Sequence, residues 1–341
     1  MTGPAIVGWD IGGVNVKGAL VRSGRVLSAT THPFEVQRAP DQLSALLKRL
    51  AADLGAPEDA HHAITMTAEL SQLFRAKRDG VSWVIGAVLG AFPSARVLVY
   101  AVGGAFLEPA VACARPLDVA ASNWYATAAM IAQKWRDCVL VDVGTTTCDV
   151  IPIAGGGVAA LGRNDPERLL SGELVYLGAV RTPVEAIVHE VPWRGGMAGV
   201  SAEGFALAGD VHVWRGDLDP ADFAVPTPDG RPATREFARE RLARVICADV
   251  EMVDDGVIDA IAEHVARVQV ERVAAALARV RERHAAHAPG AVIAAGLGAF
   301  IALRAAARLG VPAVSLADTL GADAARAAPA AAVALLLERL G

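Results

Sequence analysis

The chain opens on three apolar runs, "AIVGWDI", "VNVKGALV" and "RVLSATTH", broken at Gly12-Gly13 and at Ser23-Gly24. Runs of this length closed by glycine predict three short strands in a meander, not a strand-helix-strand start. A helix near Asp41 to Leu54 follows, then a strand at "HAITMT", helices before and after Gly80, a strand at "ARVLVY" and a helix across "SNWYATAAMIAQKW". At Cys138 the pattern restarts, because "CVLVDVGTTTCDVIPI" again reads strand, acid, glycine, polar turn and strand. From about Asn164 to Gly230 glycine, proline and tryptophan break every period, and "GELVYLGAVRTPV", "AIVHEVPWRGG" and "DVHVWRGDLDPADF" predict short strands between long loops. The remainder has helical period at "TREFARERLARVICADV" and "VIDAIAEHVARVQVERVAAALARVRERHAAH". A strand "AVIAAG", a helix, a strand "AVSLA" and an alanine-rich helix close the chain.

Placing Asp10 on Asp142 puts Gly12 on Gly144, Asn15 on Thr147 and Lys17 on Asp149, an offset of 132 residues. This reads as one supersecondary unit used twice. The expected architecture is α/β, mixed sheets flanked by helices in two lobes. The first lobe covers residues 1–136. The second covers 137–341, with an irregular insertion at about 164–230.

Composition narrows the partners. At 341 residues, 53% hydrophobic and with a net charge of -5, the chain has ample core and lacks the basic surface that holds nucleic acid. No nucleic-acid partner is expected. Asp10 interrupts the first apolar run and no basic segment precedes it, so no signal peptide is read. The longest uncharged apolar stretch, Ala291 to Leu303, is shorter than the roughly 18–20 residues of a membrane span. Cys113, Cys138, Cys148 and Cys247 are scattered without a C-x-x-C pair, which fits a reducing cytoplasm.

The polar residues at the two strand ends carry the chemistry. A glycine-containing tight turn can aim several backbone N–H groups in one direction and cradle phosphate oxygens. Gly12, Gly13 and Asn15 in one hairpin and Gly144, Thr145, Thr146 and Thr147 in the other are candidate phosphate or diphosphate ligands. Asp10, Asp142 and Asp149 are candidate ligands of a magnesium ion and its waters, since magnesium favours a few carboxylates plus substrate phosphates. Lys17 is either a countercharge for the phosphate group or an exposed strand lysine. Glu69 in "TMTAEL" is a candidate base or ammonium-binding carboxylate, or a first-turn helix acid. Glu173 and Asp210 are weaker candidates of the same kind. In "VIAAGLGAF", Gly296 and Gly298 follow a strand and precede a helix, where small residues let a ligand lie close to backbone. His61, His62, His284 and His287 have no acid spaced to complete a metal site. His189 and His212 lie near Trp193 and Trp214, and core packing is their default. The charges of "REFARERLARV" read as a solvated helix face.

Three segments in order, "GWDIGGVNVKGAL", "VLVDVGTTTCDV" and "VIAAGLGAF", resemble the two phosphate motifs and the adenosine motif of the actin, sugar kinase and Hsp70 superfamily. "ITMTAELSQLF", "SGELVYLGAVRTPV", "DVHVWRGDL" and "CADVEMVDD" resemble a hydantoinase A/oxoprolinase-like group linked to tetrahydromethanopterin-dependent one-carbon pathways. The resemblance implies a two-lobed actin-like ATPase (ribonuclease H-like) fold, with Gly296 and Gly298 in a nucleotide-like pocket. The activity assigned within that group joins an aminomethylfuran-methyl diphosphate to the phenol of γ-glutamyltyramine and releases diphosphate. What it implies here is a magnesium-dependent transferase of methanofuran or methylofuran biosynthesis, with a (glutamyl)tyramine or tyrosine acceptor. ATP would be a candidate occupant that is not consumed. The competing readings are an ATP-dependent small-molecule kinase, a hydantoinase/oxoprolinase-like ATP-dependent hydrolase, and a nucleotide-binding regulator without chemistry. The apolar C-terminal helices are compatible with a homodimer, or with closing the second lobe.

Overall fold

The computed structural model describes residues 3–287 and 290–340. The first three runs form strands Ile6–Ile11 (β1), Asn15–Arg22 (β2) and Arg25–Pro33 (β3), followed by His61–Met66 (β4), Val97–Tyr100 (β5) and Phe106–Leu107 (β6). They pair in the order β3-β2-β1-β4-β5-β6, with β1, β4 and β5 parallel and β2, β3 and β6 antiparallel to their neighbours. A second sheet takes Cys138–Val143 (β7), Cys148–Ala154 (β8), Gly157–Val158 (β9) and Leu174–Val175 (β10). A separate hairpin, Glu190–Trp193 (β11) with Gly196–Gly199 (β12), intervenes before Ala291–Ala295 (β13) and Ala313–Ser315 (β14) complete that sheet. Its order, β10-β8-β7-β13-β14, repeats the first sheet's order and directions from β3 to β5.

The strands are buried along their whole length in β1 and nearly so in β7 and β8. Such continuous apolar runs require cover on both faces. On the first sheet, the helices Leu43–Asp53 and Lys77–Ala91 give one core with Trp9, Ile11, Leu47 and Val84. Between the sheets lie Asn123–Ala132 and Ala328–Glu338, whose side chains share a core with Tyr100, Leu140, Ile151 and Ile293. The helices Asp255–Arg283 and Ala299–Arg308 cover the far face of the second sheet.

The chain's last helix settles one expectation differently. Ala328–Glu338 packs directly on β1, β2 and β4 of the first sheet, and shares its core with side chains of the second. Gly8 permits this approach, since a Cβ there would overlap the Ala330 carbonyl. The Gly80 region also differs: one helix, Lys77–Ala91, runs through Gly80, and only a 3₁₀ turn, Ala68–Leu70, precedes it. "DVHVW" is helical, within Ala208–Arg215, although its alternation reads as a strand. Asp210 accepts from the Leu207 N–H at the N-terminus, and Gly216 at φ 74 ends it in the left-handed region. "REFARERLARV" is a helix, but Arg241 on it is buried at 1% and paired with Asp210, so this face is not wholly solvated.

Candidate functional site

Both hairpins are built alike. In β1–β2 Asp10 stands opposite Lys17, and in β7–β8 Asp142 stands opposite Asp149. The Gly12 N–H donates to the Asn15 carbonyl at 2.9 Å, and the Gly144 N–H donates to the Thr147 carbonyl at 2.8 Å. Neighbouring segments take up the turn carbonyls: Val36 N–H donates to Gly13, Phe34 to Val14, Ala179 to Gly144, and Val180 and Arg181 to Thr145. Among the described residues, the N–H groups of Gly13, Thr145 and Thr146 find no intramolecular acceptor. Turns whose carbonyls are satisfied and whose N–H groups are free present donors to an anion. A Cβ built on Gly13 would meet nothing within 4 Å, so this turn faces open space.

The strand ends form one electrostatic cluster. Lys17 Nζ lies 3.2 Å from Asp10 Oδ2, and the other Asp10 oxygen is buried without a partner. Burial opposes the Lys17 ammonium, but Asp10, Asp142 and Asp149 outweigh it and hold its pKa above the usual value. Burial, with Asp10 adding to it against Lys17, raises the Asp142 carboxyl. Asp149 is pushed up to about 7 by burial and by Asp142 and Asp165, although it is hydrogen-bonded to Arg168. Arg168 is itself buried, with its guanidinium 4.4 Å from the Trp124 ring centroid. Asp149 is therefore committed to an ion pair, which is not the free metal ligand expected of it. Among the described residues, no three histidine, cysteine, aspartate or glutamate side chains converge as a metal-binding set.

Gly296 and Gly298 serve packing first. Gly296 sits at φ 81, and a Cβ there would overlap Asp142 Oδ1 and the Val143 carbonyl; one on Gly298 would lie 2.5 Å from Val143 Cγ1. The glycines let β13 and its following helix press against the end of β7 and fix Asp142. Gly296 also lines a cavity of about 220 Å³ with Asp217, Asp219, Asp222, Ser315, Arg326 and several alanines. Asp217 is held well below the usual carboxylate range, because Arg304 and Arg215 outweigh the effect of its burial. Asp222 pairs with both terminal nitrogens of Arg326.

Glu69 is 1% exposed, and neither of its oxygens has a hydrogen-bond partner. Lys77 Nζ is 3.8 Å away and bonds at 3.2 Å to Asp165, at the start of the helix Asp165–Ser171. Glu173 and Asp210 hold structure: Glu173 accepts from the N–H groups of Leu161 and Gly162, and Asp210 pairs with Arg241. His62 accepts from Trp9 Nε1 and stacks on Phe92, and burial lowers its pKa to about 4. His212 donates from Nε2 to Gln269, whose amide in turn donates to the Gly178 carbonyl. His189 is exposed. Arg168, Lys77, Asp165 and Gly178 are site residues that the sequence did not single out. Two of them lie on the helix Asp165–Ser171, in a stretch expected to hold only short strands and loops; the Asn164 cap in "NDPERLLSG" is the local signal for it.

Burial pushes Glu69 from 4.5 up to about 7 against the pull of Lys77, with Asp165 and Asp10 adding to the rise. The folded chain thus keeps a proton that the unfolded chain releases at lower pH. Stability from this group is full below pH 4.5 and is lost as pH rises through 7. Wild-type melting temperature should therefore fall from pH 5 to pH 8 more steeply than that of Glu69→Gln. The difference is at most on the order of 3 kcal/mol, and equal slopes in the two proteins would refute it.

The hydantoinase/oxoprolinase family model matches residues 61–339. A Methanocaldococcus jannaschii protein named (4-{4-[2-(gamma-L-glutamylamino)ethyl]phenoxymethyl}furan-2-yl)methanamine synthase is 34% identical over 335 residues, 98% of each chain. A Methanococcus vannielii protein of the same name is 30% identical over 207 residues, 60% of this chain and 91% of that one. Among solved structures, nucleotide-free acetone carboxylase is 11% identical with a TM-score of 0.60, covering 98% of this chain and 70% of that one. That likeness concerns the fold alone. The chain itself shows the expected α/β arrangement of two equivalent mixed sheets flanked by helices. Among the described residues, no helix is long and apolar enough to cross a membrane.

Proposed function

Since the chain belongs to the hydantoinase/oxoprolinase family, we propose that it is a transferase that joins an aminomethylfuran-methyl diphosphate to a phenol and releases diphosphate. The synthase named for its relatives makes an aryl ether of a furanylmethanamine, and its full-length similarity supports the same bond here. One observation carries the reading. Two matching turns with unpaired N–H groups bracket Asp10, Lys17 and Asp142, which suits the oxygens of a departing diphosphate.

Charge balance argues for a divalent cation. At the strand ends Asp10 and Asp142 face Lys17, while Asp149 and Asp165 are already paired with Arg168 and Lys77, so carboxylates exceed free cationic side chains where the anion would enter. A diphosphate needs added positive charge to enter such a cleft. The unpartnered buried oxygen of Asp10 and the carboxylate of Asp142 are the residues that would hold magnesium, through retained waters. Magnesium supplies countercharge to the leaving group when bound. Lys17 adds a fixed charge, and the turn N–H groups orient the phosphate oxygens. As the carbon–oxygen bond to diphosphate breaks, the electron-rich furan ring stabilises the cation at its CH₂ group. The phenol oxygen then captures this carbon, so most of the catalysis is positioning. This chemistry belongs to the assembly of methanofuran-type coenzymes.

The cavity beside Gly296 supports a second reading, an ATP-dependent kinase or amide-ring hydrolase. Its lining offers no aromatic ring to stack a purine. Purified protein with the furan diphosphate, γ-glutamyltyramine and magnesium should give ether and diphosphate in equal amounts. With ATP in place of the furan diphosphate, it should release no phosphate. Acceptor-stimulated ATP hydrolysis without ether would establish the second reading instead.

A further inference from the structure

Glu69 lies outside the diphosphate machinery but beside it. Thr67, two residues earlier, abuts the first turn, since a Cβ on Gly12 would lie 3.3 Å from Thr67 Oγ1. The position of Glu69 is built with care. The helix Lys77–Ala91 passes so close that a Cβ on Gly80 would lie 2.5 Å from Glu69 Cα and 2.9 Å from its Cβ. A glycine inside a helix costs about 1 kcal/mol relative to alanine, so this contact is held at the expense of the helix. A buried carboxyl whose two oxygens lack partners is costly unless a ligand completes it.

Three charged groups face Glu69, each from a different element: Lys77 from that helix, Asp165 from the helix Asp165–Ser171, and Asp10 from β1. Lys77, at 3.8 Å, is too far to donate a hydrogen bond to it. The Lys77–Asp165 pair, at 3.2 Å, joins the helix that packs on Glu69 to the helix Asp165–Ser171, 88 positions along the chain.

We propose that the Glu69–Lys77–Asp165 cluster is the acceptor subsite, that it takes a phenol, and that Glu69 accepts the phenolic proton. This rests on the transfer proposed above. The diphosphate leaves with the electron pair of its bond to the furan CH₂ group. A phenol oxygen lone pair forms the new bond to that carbon, and the phenolic proton passes to Glu69. Lys77 steadies the negative charge that develops on the phenol oxygen. A carboxyl raised to about 7 by burial matches a base used near neutral pH.

The test is single-turnover ether formation by wild type, Glu69→Gln and Glu69→Asp. Each is run with a tyramine-type phenol and with ring-fluorinated phenols of lower pKa, alongside binding of the furan diphosphate with magnesium. Glu69→Gln should lose about 10²–10⁴-fold in rate with tyramine-type phenols and keep diphosphate affinity within about twofold. The loss should shrink with the acidic phenols, and the rise of the rate toward pH 7 should disappear. Glu69→Asp should retain the pH dependence at a reduced rate, which keeps the test open if Glu69→Gln does not fold. A wild-type rate in Glu69→Gln would overturn the subsite while leaving the transferase reading intact. So would a selective loss of affinity for the furan diphosphate over an analogue lacking the amino group, since Glu69 would then bind the amine. No ether from wild type would overturn the transferase reading itself.

Discussion

Asp142→Asn should cost about 10²–10³-fold in ether formation while leaving the melting temperature unchanged or higher. The two effects have one cause. Asp142 is a carboxylate held at the end of β7 by the close approach of Gly296, with Asp10 as a like charge nearby and burial raising its pKa. Removing a half-buried charge that repels a neighbour relieves the folded state. Lys17 keeps its 3.2 Å pair with Asp10, so the substitution strands no cation. The same change removes a carboxylate proposed to hold magnesium, so the binding of magnesium diphosphate should weaken together with the rate. Calorimetry of diphosphate binding at fixed magnesium, with thermal melts and single-turnover assays, separates the outcomes. A variant that melts earlier yet turns over normally would make Asp142 structural and sink its assigned role.

The sequence displayed this site to the extent that its parts are local. Asp10 and Lys17 lie seven positions apart across a tight turn, and Asp142 and Asp149 repeat that spacing, so the register pairs follow from the hairpin. Short apolar runs closed by glycine likewise made the strands legible. Distance hid the rest. Arg168 meets Asp149 from 19 positions away and Lys77 meets Asp165 from 88 away, and nothing in the local pattern of either partner announces the other. "DVHVW" was ambiguous for a different reason. Five residues satisfy a strand's alternation and a short helix equally, and the Asp210 cap and Gly216 stop decide for helix. Gly296 was legible as important but not for its purpose, because the atom it must clear belongs to Asp142, in another strand.

Gly178→Ala should lower stability and ligand binding together, and Gly13→Ala ligand binding alone. A Cβ on Gly178 would overlap the carbonyl of Thr145 and the backbone nitrogen of Thr146. Gly178 cannot retreat easily, since its N–H donates to Thr182 Oγ1 at 3.0 Å and its carbonyl accepts from Gln269 Nε2 at 2.8 Å. Gln269 is fixed in turn by His212, at 2.8 Å. The strain therefore falls on the Thr145–Thr146 turn, whose N–H groups are proposed to face the diphosphate. Overpacking of this kind costs about 1–3 kcal/mol, and diphosphate affinity should fall with it. At Gly13 a Cβ would meet no atom within 4 Å, so alanine should change stability by less than about 0.5 kcal/mol. Its methyl group would nonetheless stand in the open space before the first turn, where the diphosphate is proposed to sit. Affinity should then drop by about tenfold or more, the equivalent of about 1.4 kcal/mol. Unaltered diphosphate binding in Gly13→Ala, measured by calorimetry beside an unshifted melt, would remove the first hairpin from the clamp and leave only the second.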